Sequence, residues 1–201
     1  MVKELKNARR TMNNEETRAI IEALIFASEV PLTLDKIREI LKLPKGEIQS
    51  LLNDLVSEYN STPRGFYVRK VANGYQFRTR SEYSIWIQRL KKVRVLRMSQ
   101  PMMETLAMVA YKQPITRVEI EHIRGVDSEG IIKSLLDKNL ITILGRKDVP
   151  GRPFLFGTTS KFLEVFGLES LKDLPPFEDI SQLKEGELTL TPVNQEKDED
   201  S

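Results

Sequence analysis

A mainly helical α+β protein in which one structural plan is used twice is what this sequence predicts, and three observations carry it. Apolar residues spaced three and four apart recur in sets of three helical stretches, and each set is followed by two short runs that alternate at period 2. The punctuation after the first helix of the first set, Pro31-Leu32-Thr33, returns after the first helix of the second set as Pro114-Ile115-Thr116. Three helices followed by a β-hairpin is the winged-helix order, so the expected architecture is two tandem winged-helix domains with small β wings. A chain of 201 residues accommodates two such domains at about 70 to 90 residues each.

The first helix is expected over Glu15 to Glu29, where Ile20, Ala23, Leu24 and Ala27 form one helical face and Val30-Pro31 ends it. Thr33 is placed to cap a short helix with Leu34, Ile37, Ile40 and Leu41, closed by Leu43-Pro44. The third helix, to about Asn60, carries the clearest stripe in the chain: Ile48, Leu51, Leu52, Leu55, Val56 and Tyr59. Phe66 to Val71 and Tyr75 to Thr79 then alternate around Ala72-Asn73-Gly74, a hairpin signal. A further helix from Ser81 to about Val93 presents Tyr83, Trp86, Ile87 and Leu90.

The second set opens with a helix from about Ser99 to Tyr111 bearing Met102, Met103, Leu106, Val109 and Ala110. Gln113-Pro114 breaks it, Thr116 caps a short helix with Ile120 and Ile123, and Gly125 stops that helix. Asp127 is placed to cap the next, with Ile131, Ile132, Leu135 and Leu136; strands follow at Leu140–Leu144 and Phe154–Phe156, and a last helix at Lys161–Phe166. The domain plan is therefore a flexible arm over 1–14, a first winged-helix domain over 15–97, a second over 98–176, and an acidic disordered tail over 177–201.

Composition narrows the function. Cysteine is absent, which excludes thiolate nucleophiles, disulfides and cysteine-based zinc sites and fits a cytoplasmic protein. The first residues lack the apolar core of a signal peptide, and no stretch approaches the roughly 18 apolar residues of a membrane span. The net charge of +2 is unevenly placed: residues 1–97 carry 19 basic and 11 acidic groups, residues 98–180 carry 10 and 12, and residues 181–201 carry 2 and 6.

Catalytic or cofactor chemistry has little to build on, so no enzyme, metal or cofactor is expected. His122 is the single histidine, on a short helix beside Glu119 and Glu121, and has no second nitrogen ligand or nucleophile near it. The loop from Gly145 to Pro153 lacks phosphate-loop spacing and opens no helix; it reads as a wing loop whose Arg146 and Arg152 are suited to carboxylate or phosphate. A DNA-reading winged helix lays its third helix in the major groove, yet Lys45 stands against Glu47, Asp54 and Glu58 in one candidate. In the other, Lys133 and Lys138 stand against Asp127, Glu129 and Asp137. Both helices are net acidic, which disfavours sequence-specific DNA binding and leaves a DNA-binding transcription regulator as the alternative, supported by the basic first half. The densest basic cluster, Arg89, Lys91, Lys92, Arg94 and Arg97, reads as a solvated helix end. Apolar faces and exposed members of the alternating Phe66, Tyr67, Tyr75 and Phe77 remain for protein partners.

Several long motifs resemble the bacterial segregation and condensation protein B family. They are Ala107-Met108-Val109-Ala110-Tyr111-Lys112-Gln113-Pro114-Ile115-Thr116-Arg117, Ile120 to Ser128, and Gly145-Arg146 through Gly151-Arg152-Pro153 to Gly157-Thr158-Thr159. Phe162-Leu163, Phe166-Gly167-Leu168, Asp173-Leu174-Pro175, Glu22 to Phe26 and Gly74-Tyr75-Gln76 extend the resemblance over residues 15 to 176. It implies a non-enzymatic, nucleoid-associated subunit that dimerises with itself through the first domain. It further implies binding to the kleisin subunit, segregation and condensation protein A, which bridges an SMC ATPase, in chromosome condensation and segregation. By the same resemblance the second domain supplies the kleisin surface, with Tyr111, Lys112, Gln113, Arg117, Arg124, Arg146 and Arg152 as the expected partner-binding residues.

Overall fold

The structure, a computed structural model, describes residues 13–91 and 98–176. The acidic tail and Lys92, Arg94 and Arg97 of the basic cluster lie outside the described residues, as does the N-terminal arm up to residue 12. Contacts divide the chain into two units between Ile87 and Gln88. The boundary read from the sequence after Arg97 falls in the undescribed stretch.

Unit 1 runs α1 (Asn14–Ala27), β1 (Leu32–Thr33), α2 (Leu34–Leu41), α3 (Lys45–Ser61), β2 (Phe66–Val71) and β3 (Gly74–Thr79), followed by a 3-10 turn (Ser81–Tyr83) and α4 (Ser84–Lys91), which crosses the division. Unit 2 repeats the order with α5 (Gln100–Lys112), β4 (Ile115–Thr116), α6 (Arg117–Arg124), α7 (Glu129–Asp137), β5 (Ile141–Arg146) and β6 (Phe154–Thr158). It ends with α8 (Ser160–Phe166) and a 3-10 turn (Leu171–Asp173). Both units are winged helices of the same topology, with antiparallel sheets ordered β1-β3-β2 and β4-β6-β5. None of the described helices is long and apolar enough to cross a membrane.

Local chemistry sets most element ends. Thr33 accepts from the Lys36 amide and Thr116 from the Glu119 amide, so the Thr of each Pro-x-Thr motif caps the helix that follows. Gly125 ends α6 in the left-handed region at φ 72°. The expected Asp127 cap is not used: Ser128 is the N-cap of α7 and makes no capping bond, because its hydroxyl accepts from Arg124 and its amide donates to Glu121.

The core of unit 1 gathers Ile21, Ile25, Ile37, Ile48, Leu52, Leu55 and Val68, all nearly inaccessible. Unit 2 buries Leu106, Val109, Ile120, Leu135, Leu140, Ile141 and Phe162 in the same way. Each such side chain contributes on the order of 1.5–3 kcal/mol by leaving water. One face read from the sequence is wrong. On α1 the buried positions are Thr17, Ile21 and Ile25, whereas Ala23 and Ala27 of the expected stripe are exposed and Ile20 and Leu24 half-buried. From Ala19 to Ala27 all but Glu22 are apolar, so period alone does not choose a side; Thr17 is buried because its hydroxyl donates to the Asn13 carbonyl at 3.1 Å.

The β2–β3 turn also differs from the expected Asn-Gly centre. Val71 pairs with Gly74, which leaves Ala72 and Asn73 as the two loop residues, at φ 48° and 59°, the signature of a type I′ turn. Gly74 is required for another reason: a Cβ there would stand 2.8 Å from the carbonyl carbon and oxygen of Pro31, where β1 crosses. Gly74→Ala is therefore expected to cost about 2 kcal/mol or more through backbone displacement. Ala72→Gly should gain up to about 1 kcal/mol by relieving the left-handed conformation. Thermal or urea unfolding of the two variants should move in opposite directions.

Candidate partner-binding face

The candidate face is built where α5 ends, because the chain there turns from helix into β4 and is held to the wing by one side chain. Gln113 Oε1 accepts from the Thr158 amide at 2.8 Å, and its Nε2 donates to the Ala110 carbonyl at 3.0 Å. A side chain on Gly157 would collide with Gln113 Oε1 and Leu144 Cδ1, so a glycine is needed for this clamp to close. Next to it, the Tyr111 hydroxyl donates to the Pro175 carbonyl at 2.5 Å and fixes the segment after α8 against the end of α5. Lys112, the last residue of α5, is exposed and makes no recorded ion pair among the described residues.

A second set of polar contacts joins α6 to its neighbours. Glu119 accepts from the Thr116 amide and hydroxyl, both at 2.8 Å, and from Lys147 Nζ at 2.6 Å, tying the start of α6 to the wing. The Lys147 hydrogen bond, then those from Thr116, hold the Glu119 carboxyl down at about 2, well below its ordinary 4.5. Farther along α6, Arg117 pairs with Glu121 at 3.2 Å and with Glu129, while Glu121 accepts the Ser128 amide at 3.1 Å. Arg124, with only 7% of its side chain exposed, donates to the Ser128 hydroxyl at 2.9 Å and lies 3.8 Å from Glu104 of α5.

The wing tip holds its arginines differently. The Arg146 guanidinium lies 4.0 Å from the Phe154 ring centroid and donates to the Arg152 carbonyl at 2.9 Å. Arg152 has φ 38°, between Gly151 at φ 83° and Pro153, a conformation that costs on the order of 1–3 kcal/mol in a non-glycine residue. Its backbone amide donates to the Val149 carbonyl at 2.9 Å, and its guanidinium makes no recorded bond among the described residues.

The seven partner-binding residues expected from the sequence thus fall into two groups. Gln113, Arg117 and Arg124 are engaged inside unit 2, and Tyr111 bonds to Pro175; Lys112, Arg146 and Arg152 present charge to solvent. Sequence reasoning missed Glu119 as the link to the wing and Phe154 as the platform for Arg146. Phe154 stands opposite Arg146 in the β5–β6 register, a pairing outside the strand expected over Leu140–Leu144. His122 is exposed, and the described residues contain no cluster of metal-ligating side chains. Elsewhere Tyr75 is buried and Tyr67 and Phe77 half-buried, so of the four alternating hairpin aromatics Phe66 alone is exposed; Phe26, Trp86 and Leu90 are exposed at 78%, 61% and 81%.

Both third helices present net negative charge: Lys45 against Glu47, Asp54 and Glu58 in α3, and Lys133 against Glu129 and Asp137 in α7. Such helices meet a duplex with repulsion rather than phosphate contacts. The Glu119 carboxyl supplies a pH test. Because its folded value lies below its ordinary one, its contribution to stability is complete above about pH 4.5 and is lost as pH falls toward 2. Lys147→Met should raise the Glu119 titration midpoint seen by carboxyl NMR and move acid unfolding of unit 2 to higher pH.

Known proteins resemble this chain over most of its length. Segregation and condensation protein B of Syntrophotalea carbinolica is 47% identical over 180 residues, spanning 89% of this chain and 91% of its own length. The protein of that name from Moorella thermoacetica is 41% identical over 172 residues, 86% and 88% of the two chains. The crystal structure of ScpB from Mycobacterium tuberculosis is 28% identical, covering 78% of this chain and 98% of that one, with a TM-score of 0.38. With the family model for the segregation and condensation complex subunit ScpB matching residues 19–177, this chain belongs to the ScpB family.

Proposed function

We propose that this protein is a non-catalytic accessory subunit of a bacterial condensin-like complex, acting as a homodimer joined through unit 1 and holding a segment of the kleisin on unit 2. Through the kleisin it serves the SMC ATPase in chromosome condensation and segregation. The observation that carries the reading, beside family membership, is that two winged helices display acidic third helices while apolar side chains such as Phe26, Val30 and Trp86 stand exposed. Exposed aromatic and apolar groups are the material of protein interfaces, and the acidic helices oppose duplex binding.

Within unit 2 the solvent-facing Lys112, Arg146 and Arg152 supply charge to the kleisin, and Tyr111 offers an aromatic body beside them. Gln113, Arg117 and Arg124 act by holding the face in shape. The strain at Arg152 has a use in this reading, since a left-handed residue ahead of Pro153 is retained where the side chain must point outward from a fixed loop.

Light scattering on the chain alone and with a kleisin peptide, together with a duplex-binding assay at physiological salt, tests the proposal. A dimer that captures the peptide and leaves DNA free is expected; a monomer that binds one duplex tightly gives the case to a transcription regulator. Arg152→Gly separates site from scaffold: it should raise the thermal midpoint by releasing the strained φ and weaken peptide capture about tenfold through the lost guanidinium. Arg124→Ala should do the reverse in kind, lowering stability by about 1–3 kcal/mol as Glu104 and Ser128 lose their partner.

A further inference from the structure

The outer edges of the two wings differ. In unit 1 the outer strand is β2, where Arg69 and Lys70 stand exposed side by side and oppose the approach of another strand. In unit 2 the outer strand is β5, and its residues from Ile143 to Arg146 are all exposed. Successive side chains of a strand point to opposite faces, so this half of β5 is little covered on either one. Ile143 and Leu144 are 44% and 56% exposed, and no charge precedes Arg146.

The backbone of this edge is open in a defined pattern. The Thr159 amide donates to the Leu140 carbonyl at 3.2 Å and the Lys147 amide to the Pro153 carbonyl at 2.9 Å, so Leu140 and Lys147 face β6. By alternation from both ends, Thr142 and Gly145 also face β6, while Ile143 and Arg146 turn their amides and carbonyls outward. The register shift leaves Leu144 as an extra residue between Ile143 and Gly145, outside the ladder. The open backbone groups thus coincide with exposed apolar side chains, and such an edge is a template for strand addition.

Charge and position define what this edge takes. Arg146 and Arg152 are exposed together at one end of it, joined by a hydrogen bond from the Arg146 guanidinium to the Arg152 carbonyl. Leu144 adjoins Gln113, since both side chains border the space a Cβ on Gly157 would fill, and Lys112 is exposed next in the chain. An edge with an apolar middle and cations around it complements an extended segment that carries apolar residues flanked by carboxylates. A second copy of this chain fits less well: antiparallel pairing about Ile143 and Leu144 sets Ile141, not a carboxylate, opposite each Arg146.

We propose that the kleisin, on the reading above that it is the partner of unit 2, adds one acidic, extended segment to β5 as a fourth strand of the sheet. The segment bonds through its backbone to Ile143 and Arg146, covers Ile143 and Leu144 with apolar side chains, and sets carboxylates against Arg146 and Arg152. The backbone bonds supply affinity, and the apolar and charged positions select the segment.

The test titrates overlapping synthetic peptides from the middle of the kleisin into the full, isotope-labelled chain and follows amide exchange residue by residue. A captured peptide is expected to slow exchange at Ile143 and Arg146 about tenfold or more, while Thr142, Gly145 and the β2 reference change little. N-methylation of alternate peptide amides should weaken capture about tenfold in one parity and leave it intact in the other. Ile143→Lys/Leu144→Lys, at two exposed positions, should weaken capture as much with the thermal midpoint unchanged. Capture with unaltered β5 exchange and no dependence on parity overturns the added strand and leaves the kleisin reading standing; no capture by any peptide overturns both. A fall in the mass of the free protein on the double substitution, read by light scattering, also overturns the proposal, because the edge then belongs to a second copy.

Discussion

Each unit depends on a two-residue strand. β1 and β4 are short enough to pass for loop, yet by pairing with β3 and β6 they fasten the wing to the first helix–turn and turn a hairpin into a three-stranded sheet. An isolated hairpin is marginal in water, and a third strand with a helical layer beneath it makes the wing part of the fold. The same Pro-x-Thr residues then start the next helix, since Thr33 and Thr116 cap α2 and α6. One segment thus fixes the wing and the direction of the second helix together. Gly74 shows how tightly: it sits against the Pro31 carbonyl with no room for a methyl group.

Unit 2 adds a polar layer to this joint. Gln113 clamps β6, and Glu119 connects the cap of α6 to Lys147 of the wing. Both are side-chain bonds across long sequence separations, so the wing loop, and with it Arg146 and Arg152, is referenced to the helices rather than left at the end of a free hairpin. A binding surface held this way loses less entropy when a partner docks, which is where a scaffold gains affinity without burying more area.

Much of this was legible in the residues. The capping threonines, the hairpin signals, the stripe of α3 and the returning Pro-x-Thr all state local preferences that the fold obeys, so helix count, strand pairs and the repeated plan follow from them. What failed required knowledge of the third dimension. The α1 stripe was misassigned because that helix is apolar around most of its circumference. Asp127 was a plausible cap, but Ser128 was already committed to Arg124 and Glu121. For the candidate face, sequence grouped seven residues and could not separate those that present charge from those whose side chains are engaged within unit 2. Arg124 and Arg152 look equivalent on paper; one side chain is buried against Glu104 and Ser128, the other rises from a strained turn.

That contrast bears on how one fold serves two tasks. A winged helix that reads DNA presents cations on its third helix and wing, whereas here the third helices are net acidic, and Lys112, Arg146 and Arg152 stand exposed at the end of α5 and the wing tip. Shifting charge from the third helix to the wing removes the geometry needed for a major groove and keeps a surface suited to a carboxylate-bearing chain. The uneven strand edges extend the same logic. β2 is guarded by its own Arg69 and Lys70, while β5 keeps Ile143 and Leu144 exposed and carries no charge before Arg146.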